Sequence, residues 1–250
     1  MEVGKCNYSR ERFLDSIDFI GIKPDNYHRQ ETYKKQLFYH FTVSGRGAKG
    51  DINWWINSDN RISTQFVIDY RGKIYQLFST KYFGRHLGVK QSVFKEKLSE
   101  NDLVYYNNRI VNNFLLDKHS VGVELDTWGP LMSSKNKWYP VKKSRLKSKF
   151  VPNKNLNPIH ESRIVFFDKP YKGFHAYEKF TDEQLESARW IAIYLNETYG
   201  IPLDYNEGMF NVNNRALKGE PGIWTHTSVR KDKFDCMPQP EFIEMLKSLK

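Results

Sequence analysis

Two short apolar runs, far apart in the chain, place the strongest limit on how it can fold. They cover residues 37–43 and residues 120–125. Both runs are too short for helices and are rich in β-branched or aromatic side chains. Neither shows the alternating polar residues of a strand with one face in solvent, so both indicate buried strands. Glycines within residues 45–50 indicate that the first strand ends just beyond His40. The chain must therefore bury a sheet, and one histidine lies where that sheet meets a loop.

Helical patterns occur on either side of these runs. Thr181 opens a capping box, apolar residues then recur on one face, and Gly200 closes the pattern, which predicts a helix over 182–199. A shorter helix is predicted over residues 9–20, and a last one from about Pro240.

A hairpin is predicted over residues 62–78, where two β-rich runs are joined by a glycine-containing turn at residues 69–72. The strands and helices do not alternate regularly along the chain. This order predicts an α/β fold with a mixed central β-sheet flanked by helices.

We predict one domain over residues 1–250. Its core is expected at about 37–250, with a helical N-terminal segment at 1–36 and an insertion at about 128–179. Neither residues 91–118 nor the insertion suggests a definite role.

The composition limits the partners. The formal net charge is +10, from 39 basic and 29 acidic residues. Such a charge attracts polyanions in general: nucleic acid, anionic lipid or an acidic cell-wall polymer. Residues 135–154 hold eight basic residues and no acidic one, which is typical either of a solvated hairpin arm or of a surface that grips an anionic polymer.

The chain lacks the usual marks of a membrane or disulfide-rich protein. No stretch approaches the roughly 18 consecutive apolar residues of a membrane span. The N-terminus has no apolar signal region, so we expect synthesis in the cytoplasm. Cys6 and Cys236 do not make a disulfide framework.

Two histidines and the residues after the second are candidates for a metal site. His40 and His226 are 186 positions apart (226 − 40), so no local motif links them. The segment after His226 adds Lys233, Asp235 and Cys236. Zinc accepts imidazole, carboxylate and thiolate ligands, and a catalytic zinc uses three protein ligands and leaves one position for water.

A single carboxylate, Glu124, lies in the second buried run. Burying a charge without compensation is costly, so this group must be paired, lie at a strand end or take part in chemistry.

Six segments of the chain, taken together and in order, resemble the zinc-dependent N-acetylmuramoyl-L-alanine amidases of the type 2 family. That family includes phage amidases, bacterial anhydro-muropeptide amidases and the animal peptidoglycan recognition proteins. The segments span about residues 37–242, nearly the whole chain. They are Tyr39-His40-Phe41-Thr42, residues 63–75, the loop Gly84-Arg85-His86-Leu87-Gly88, Ser120-Val121-Gly122-Val123-Glu124-Leu125, the helix at 180–199, and His226 followed by Lys233-Phe234-Asp235.

The resemblance implies an amidase-like fold and a zinc ion held by His40, His226 and Asp235. Some relatives use cysteine as the third ligand, which makes Cys236 the alternative. We prefer Asp235 because the ligand in the family follows the lysine, here Lys233, by two positions. The family's usual Asp-Pro-Gly is replaced by Asp-Cys-Met in this chain.

The resemblance also implies roles in catalysis and substrate binding. Glu124 matches the catalytic carboxylate, and Lys233 is expected to stabilise the oxyanion with zinc. His86 matches a histidine that faces the substrate. Thr64 and Gln65 stand where many relatives have a histidine or tyrosine, and we expect them to contact the substrate as well.

The implied function is hydrolysis of peptidoglycan at the amide between N-acetylmuramic acid and L-alanine, by water that zinc activates. The lack of an export signal and the basic charge favour a phage lysis enzyme, made in the host cytoplasm and acting on the cell wall. Alternatives are a bacterial autolysin, a virion-associated amidase or a peptidoglycan-binding module without activity. Only the charge suggests nucleic-acid binding, which we do not expect.

Overall fold

The computed structural model describes residues 8–45, 47–58, 60–99, 115–144 and 149–249. Their strands are β1 (Ile17–Phe19), β2 (Gln36–Phe41), β3 (Phe66–Ile68), β4 (Ile74–Gln76), β5 (Ser120–Leu125), β6 (Pro130–Ser134), β7 (Lys137–Lys143), β8 (Phe150–Pro152), β9 (Ile164–Tyr171), β10 (Phe174–Glu178) and β11 (Gly222–Thr225). Their α-helices are α1 (Arg10–Asp15), α2 (Lys49–Ile56), α3 (Gln91–Lys97), α4 (Leu115–Lys118), α5 (Asp182–Tyr199), α6 (Asn214–Leu217) and α7 (Pro240–Lys247).

Within these residues, a six-stranded central sheet has the order β1-β4-β3-β5-β2-β11. The β3–β4 pair is antiparallel, as the predicted hairpin requires, and the other pairs are parallel. The prediction of an α/β fold with a mixed central sheet is therefore confirmed.

The two apolar runs form adjacent strands at the centre of this sheet. Every residue of β2 is buried, and β2 lies parallel to β5 with His40 opposite Glu124. On the other side of β2, Thr225 of β11 pairs with Tyr39, so His226 follows directly at the same edge. Because the carboxyl ends of parallel strands meet at one edge, three distant parts of the chain converge there.

The predicted long helix is confirmed as α5. Thr181 and Gln184 form a reciprocal capping box, and Gly200 ends the helix in the left-handed conformation with φ of 70°. The buried face of α5 packs on the sheet, where the Tyr39 hydroxyl donates to the Ala188 carbonyl at 2.8 Å. The predicted C-terminal helix is α7.

The predicted helix over residues 9–20 is correct only as far as Asp15. Ser9 caps α1 as expected, but Ser16 bonds back to the Phe13 carbonyl and the chain then enters β1. Strand β1 pairs with β4 at the edge of the central sheet. Phe13 is fully buried whereas Ile20 stays 41% exposed, so the apolar residues of this segment do not form one buried helical face. Pairing with β4 instead sets the backbone conformation of residues 17–19. The central sheet begins well before the predicted core boundary at residue 37.

A second sheet lies within the region predicted as an insertion. In the described residues it has five antiparallel strands in the order β8-β7-β6-β10-β9. The basic segment contributes β7 and β8, while residues 145–148 and 100–114 lie outside the described residues. No helix in the described ranges has both the length and the hydrophobicity to cross a membrane.

Candidate functional site

Three predicted ligands meet at the carboxyl edge of the central sheet. His40 Nδ1 lies 3.0 Å from His226 Nδ1 and 3.1 Å from Asp235 Oδ2, and His226 Nδ1 lies 2.9 Å from the same oxygen. All three residues are buried. We call these three atoms the ligand triangle.

Hydrogen bonding determines which nitrogen of His226 carries a proton. Its Nε2 lies 2.9 Å from the Leu87 carbonyl oxygen, which can only accept. Nε2 therefore carries the hydrogen, and in the neutral ring Nδ1 presents a bare lone pair to the ligand triangle.

A series of hydrogen bonds determines which nitrogen of His40 carries a proton. The Ser120 hydroxyl donates to the Leu116 carbonyl at 2.7 Å, so it accepts from His86 Nε2 at 2.9 Å. His86 Nδ1 is then an acceptor, and His40 Nε2 donates to it at 2.9 Å. Nδ1 of His40 is left bare. Gly122 allows this approach, because a Cβ there would lie 2.9 Å from His86 Nδ1.

Burial and neighbouring charges shift the pKa values of these groups. Burial, and then the charge of His226, lower the pKa of His40 to about 4. Burial also lowers the pKa of His86 well below its usual value. Burial alone would raise the pKa of Asp235, but the two adjacent histidines hold it well below its usual value. The imidazoles of His40 and His86 are thus neutral at pH 7, and the carboxylate is ionised.

The ligand triangle fits a bound cation. When both rings are neutral, two imidazole lone pairs and one carboxylate oxygen converge with no hydrogen between them, and a positive ion among them would remove their mutual repulsion. Neutral imidazoles and an ionised carboxylate are the forms that bind a metal, and two nitrogens with one oxygen suit zinc.

The alternative ligand, Cys236, is fully buried in the hydrophobic core next to the site. Burial raises the pKa of its thiol well above the usual value, which disfavours the thiolate that binds metals. Within the described residues, the group able to hold a metal consists of His40, His226 and Asp235.

Glu124 lies beside the ligand triangle, on the strand next to His40. Its Oε2 is buried and has no hydrogen-bond partner among the described residues. Burial, followed by the negative charges of Asp235 and Asp51, raises the pKa of Glu124 well above its usual value, and Lys233 opposes the shift. An unpaired buried carboxyl group is costly and is therefore a candidate for proton transfer.

The site opens into a cleft of about 370 Å³. Lys233, Thr64 and His86, which the sequence suggested as catalytic or substrate-contacting residues, line this cleft. The sequence did not point to α2, whose Trp54 is 56% exposed at the cleft while its Asp51 accepts from Ser44 at 2.7 Å. The adjacent tryptophans at 54 and 55 were the available signal, because neighbouring residues point about 100° apart on a helix and a surface helix buries only one face.

Two residues predicted to contact the substrate make hydrogen bonds within the protein. Gln65 does not line the cleft; its amide accepts from Gly122 N at 2.8 Å and donates to the Tyr82 carbonyl at 3.0 Å, so it links neighbouring segments. His86 does line the cleft, yet both its ring nitrogens are used in the chain between His40 and Ser120.

A buried aspartate holds the loop that carries these contacts. Asp117 Oδ1 accepts from the backbone nitrogens of His86 at 2.8 Å and Leu87 at 2.9 Å. That loop presents His86 to His40 and the Leu87 carbonyl to His226. One carboxylate therefore positions the partners of both histidines, although nothing in the sequence around it indicated a role.

The chain matches a known protein family over most of its length. The family model for N-acetylmuramoyl-L-alanine amidase matches residues 23–238. Similar solved structures include that of PlyL, at 13% identity and a TM-score of 0.46, covering 94% of this chain and 97% of that chain. A mutant endolysin from Bacillus subtilis is similar at 13% identity and a TM-score of 0.47, covering 92% of this chain and 96% of that one.

A third, the amidase LysC from Clostridium intestinale URNW, has 11% identity and a TM-score of 0.43, covering 92% of this chain and 93% of that one. A search of curated protein sequences returned no match. The family model covers well over half of the chain, and its match is what assigns the family. The chain therefore belongs to the N-acetylmuramoyl-L-alanine amidase family and is a peptidoglycan amidase.

Proposed function

We propose that the protein is a zinc-dependent hydrolase that cuts the amide between the lactyl group of N-acetylmuramic acid and L-alanine of the stem peptide. The observation that carries this proposal is the ligand triangle, in which one nitrogen of each of two imidazoles and a carboxylate oxygen lie within 3.1 Å of one another. His40, His226 and Asp235 would hold the ion. The unpaired carboxyl group of Glu124 lies next to it.

The residues around the triangle supply the remaining chemistry. When bound, zinc polarises the amide carbonyl and lowers the pKa of its water to about 7. Glu124 takes the proton of the attacking water as its oxygen bonds to the carbonyl carbon. It then gives that proton to the amide nitrogen as the carbon–nitrogen bond breaks. The ammonium group of Lys233 faces the same cleft and stabilises the oxyanion, a contact typically worth about 3 kcal/mol.

Digestion of purified peptidoglycan, with and without a chelator, tests the proposed function. We expect newly freed L-alanine amino termini by mass analysis, their loss when the chelator is present, and recovery when zinc is restored. New reducing sugar ends would instead identify a glycosidase. Binding of peptidoglycan without any cleavage would favour a recognition module.

We further propose that the protein acts as a phage lysis enzyme, made in the host cytoplasm and directed at the cell wall. The basic charge and the amidase family support this role. A bacterial autolysin or a virion-associated amidase would share the same chemistry. Lysis of host cells from outside, and the genomic neighbours of the gene, separate these origins.

The basic segment is proposed to contact anionic cell-wall polymer. In the second sheet its Lys137, Lys142 and Lys143 are exposed on β7, which leaves their charges accessible to a polymer. We expect cosedimentation with cell walls to weaken severalfold as salt rises from low to physiological ionic strength, since exposed charges are screened over about 8–10 Å. Binding that does not change with salt would contradict a role of the basic segment in binding the cell wall.

The hydrogen bonds that link His40, His86 and Ser120 are expected to strengthen zinc binding. Ser120→Ala removes the acceptor that orients His86, the direct partner of His40. Loss of a ligand's direct partner typically weakens metal affinity about 10–100-fold, so for this more distant contact we expect a loss near the lower end of that range. Competition with a fluorescent zinc chelator measures the affinity without reference to activity. Ser63→Ala is the matched control, because Ser63 is equally buried but donates to the Asn26 carbonyl. Equal affinities in both variants would contradict the role of Ser120.

A further inference from the structure

A groove of about 640 Å³ lies between the second sheet and the loop that carries Lys233. Lys233 and Phe234 line both this groove and the catalytic cleft, so the two spaces share a wall. The rest of the groove is mainly apolar. Its apolar side chains are Leu131, Met132, Trp138, Phe150 and Phe174.

An aromatic cluster joins the second sheet to the catalytic loop. The ring of Phe234 lies 5.9 Å from that of Phe150 and 6.1 Å from that of Phe174, measured between centroids. On its other side, it stacks at 6.0 Å on Phe41, which follows His40. The groove is therefore built against the residues that support the ligand triangle.

The charges of the groove are mainly positive. Lys172, Lys231 and Lys233 line it. Lys172 and Lys231 line the same groove, and burial, followed by the charge of Lys231, lowers the pKa of Lys172. Asp232 also lines the groove, but its carboxylate is paired with Arg230, whose Nε donates to Asp232 Oδ1 at 3.0 Å. A ligand with carboxylates would relieve the repulsion between the lysines.

A second surface borders the cleft at Trp54 and has a different chemistry. Around Trp54, a shallow surface is lined by Asn53, Asn57 and Asn60, with no charged side chain among its described residues. An exposed aromatic ring among neutral amides suits a sugar, whereas an apolar groove with lysines suits an acidic peptide. The scissile amide joins a sugar acid to a peptide, so its two sides need different surfaces.

We propose that the groove between the second sheet and residues 231–234 binds the stem peptide of the substrate, with Lys172 and Lys231 pairing with its carboxylates. The apolar floor would hold the aliphatic parts of the peptide. This inference rests on the proposed amidase function and assigns the second sheet a part in substrate selection.

Kinetics with two soluble substrates test this assignment. The first is a muramoyl peptide with free stem carboxylates, and the second is the same molecule with those carboxylates amidated. For the double variant Lys172→Glu with Lys231→Glu, we expect KM to rise about tenfold for the free acid and to stay unchanged for the amide. Lys169→Glu, a charge reversal at an exposed position of the same insertion that lies outside both the groove and the basic segment, is the control and should leave both KM values unchanged.

Each outcome decides the question. An unchanged KM for the free acid, or an equal rise for both substrates, would overturn the assignment. Unchanged turnover of the amidated substrate shows that the double variant folds. A wild-type protein that cuts neither substrate would instead refute the proposed amidase function, so the two failures are distinguishable.

Discussion

Replacing Glu124 by glutamine is expected to lower kcat by about 10²–10⁴-fold and to leave the zinc content unchanged. Glutamine keeps the size of the side chain but cannot accept the proton of the attacking water. Glu124 lies next to the ligand triangle without belonging to it, so its loss should not release the ion. Metal analysis and initial rates on a soluble muramoyl peptide measure the two quantities.

The same variant carries an expectation for stability. Oε2 of Glu124 is buried without a partner among the described residues, so replacing the carboxyl group by an amide of the same size should not lower the thermal midpoint. Asp51→Asn is the matched control, because Asp51 lines the same cleft but bonds to Ser44. Near-normal turnover in Glu124→Gln would remove this residue from the mechanism.

Asp235→Ala is expected to lose both zinc and activity, whereas Cys236→Ala should keep the ion. The Asp235 carboxylate lies within 3.1 Å of both histidine nitrogens and is ionised in their presence. Losing a direct ligand should weaken affinity by at least about 100-fold, beyond the loss of an outer contact. Equilibrium dialysis against buffered zinc gives the affinity of each variant.

Cys236→Ala also serves as the control for packing. Its thiol is fully buried in the core, so the variant should lose some thermal stability while binding zinc normally. Zinc retained by Asp235→Ala but lost by Cys236→Ala would reverse the choice of third ligand.

Much of the central sheet could be predicted because its signals are local. Residues 37–43 and 120–125 have the composition of buried strands, and Thr181 and Gly200 marked both ends of α5. The prediction for the N-terminal segment was wrong beyond Asp15. Ile17 and Ile20 have helical spacing, but their conformation depends on pairing with β4, more than 50 residues away in the sequence. No local pattern in residues 128–179 revealed that they form a sheet of their own.

The candidate site divides in the same way. The sequence, through residue types and order, determined which side chains are available: two histidines, Glu124, Lys233 and a carboxylate or thiol at 235 or 236. Only the tertiary structure decided how they are used. It turns His86 toward His40, places Gln65 between segments, and brings Asp235 but not Cys236 to the ligand triangle.

The physical reason is that a side chain's direction depends on register and on contacts from distant segments. Pairing of β2 with β5 sets His40 opposite Glu124, and Asp117 holds the loop that gives each histidine its hydrogen-bond partner. Those partners place the protons on the outer nitrogens and leave the inner ones free for a metal. The residue type determines whether a side chain could bind a metal, and the fold determines whether its ligand atom is placed and deprotonated so that it can.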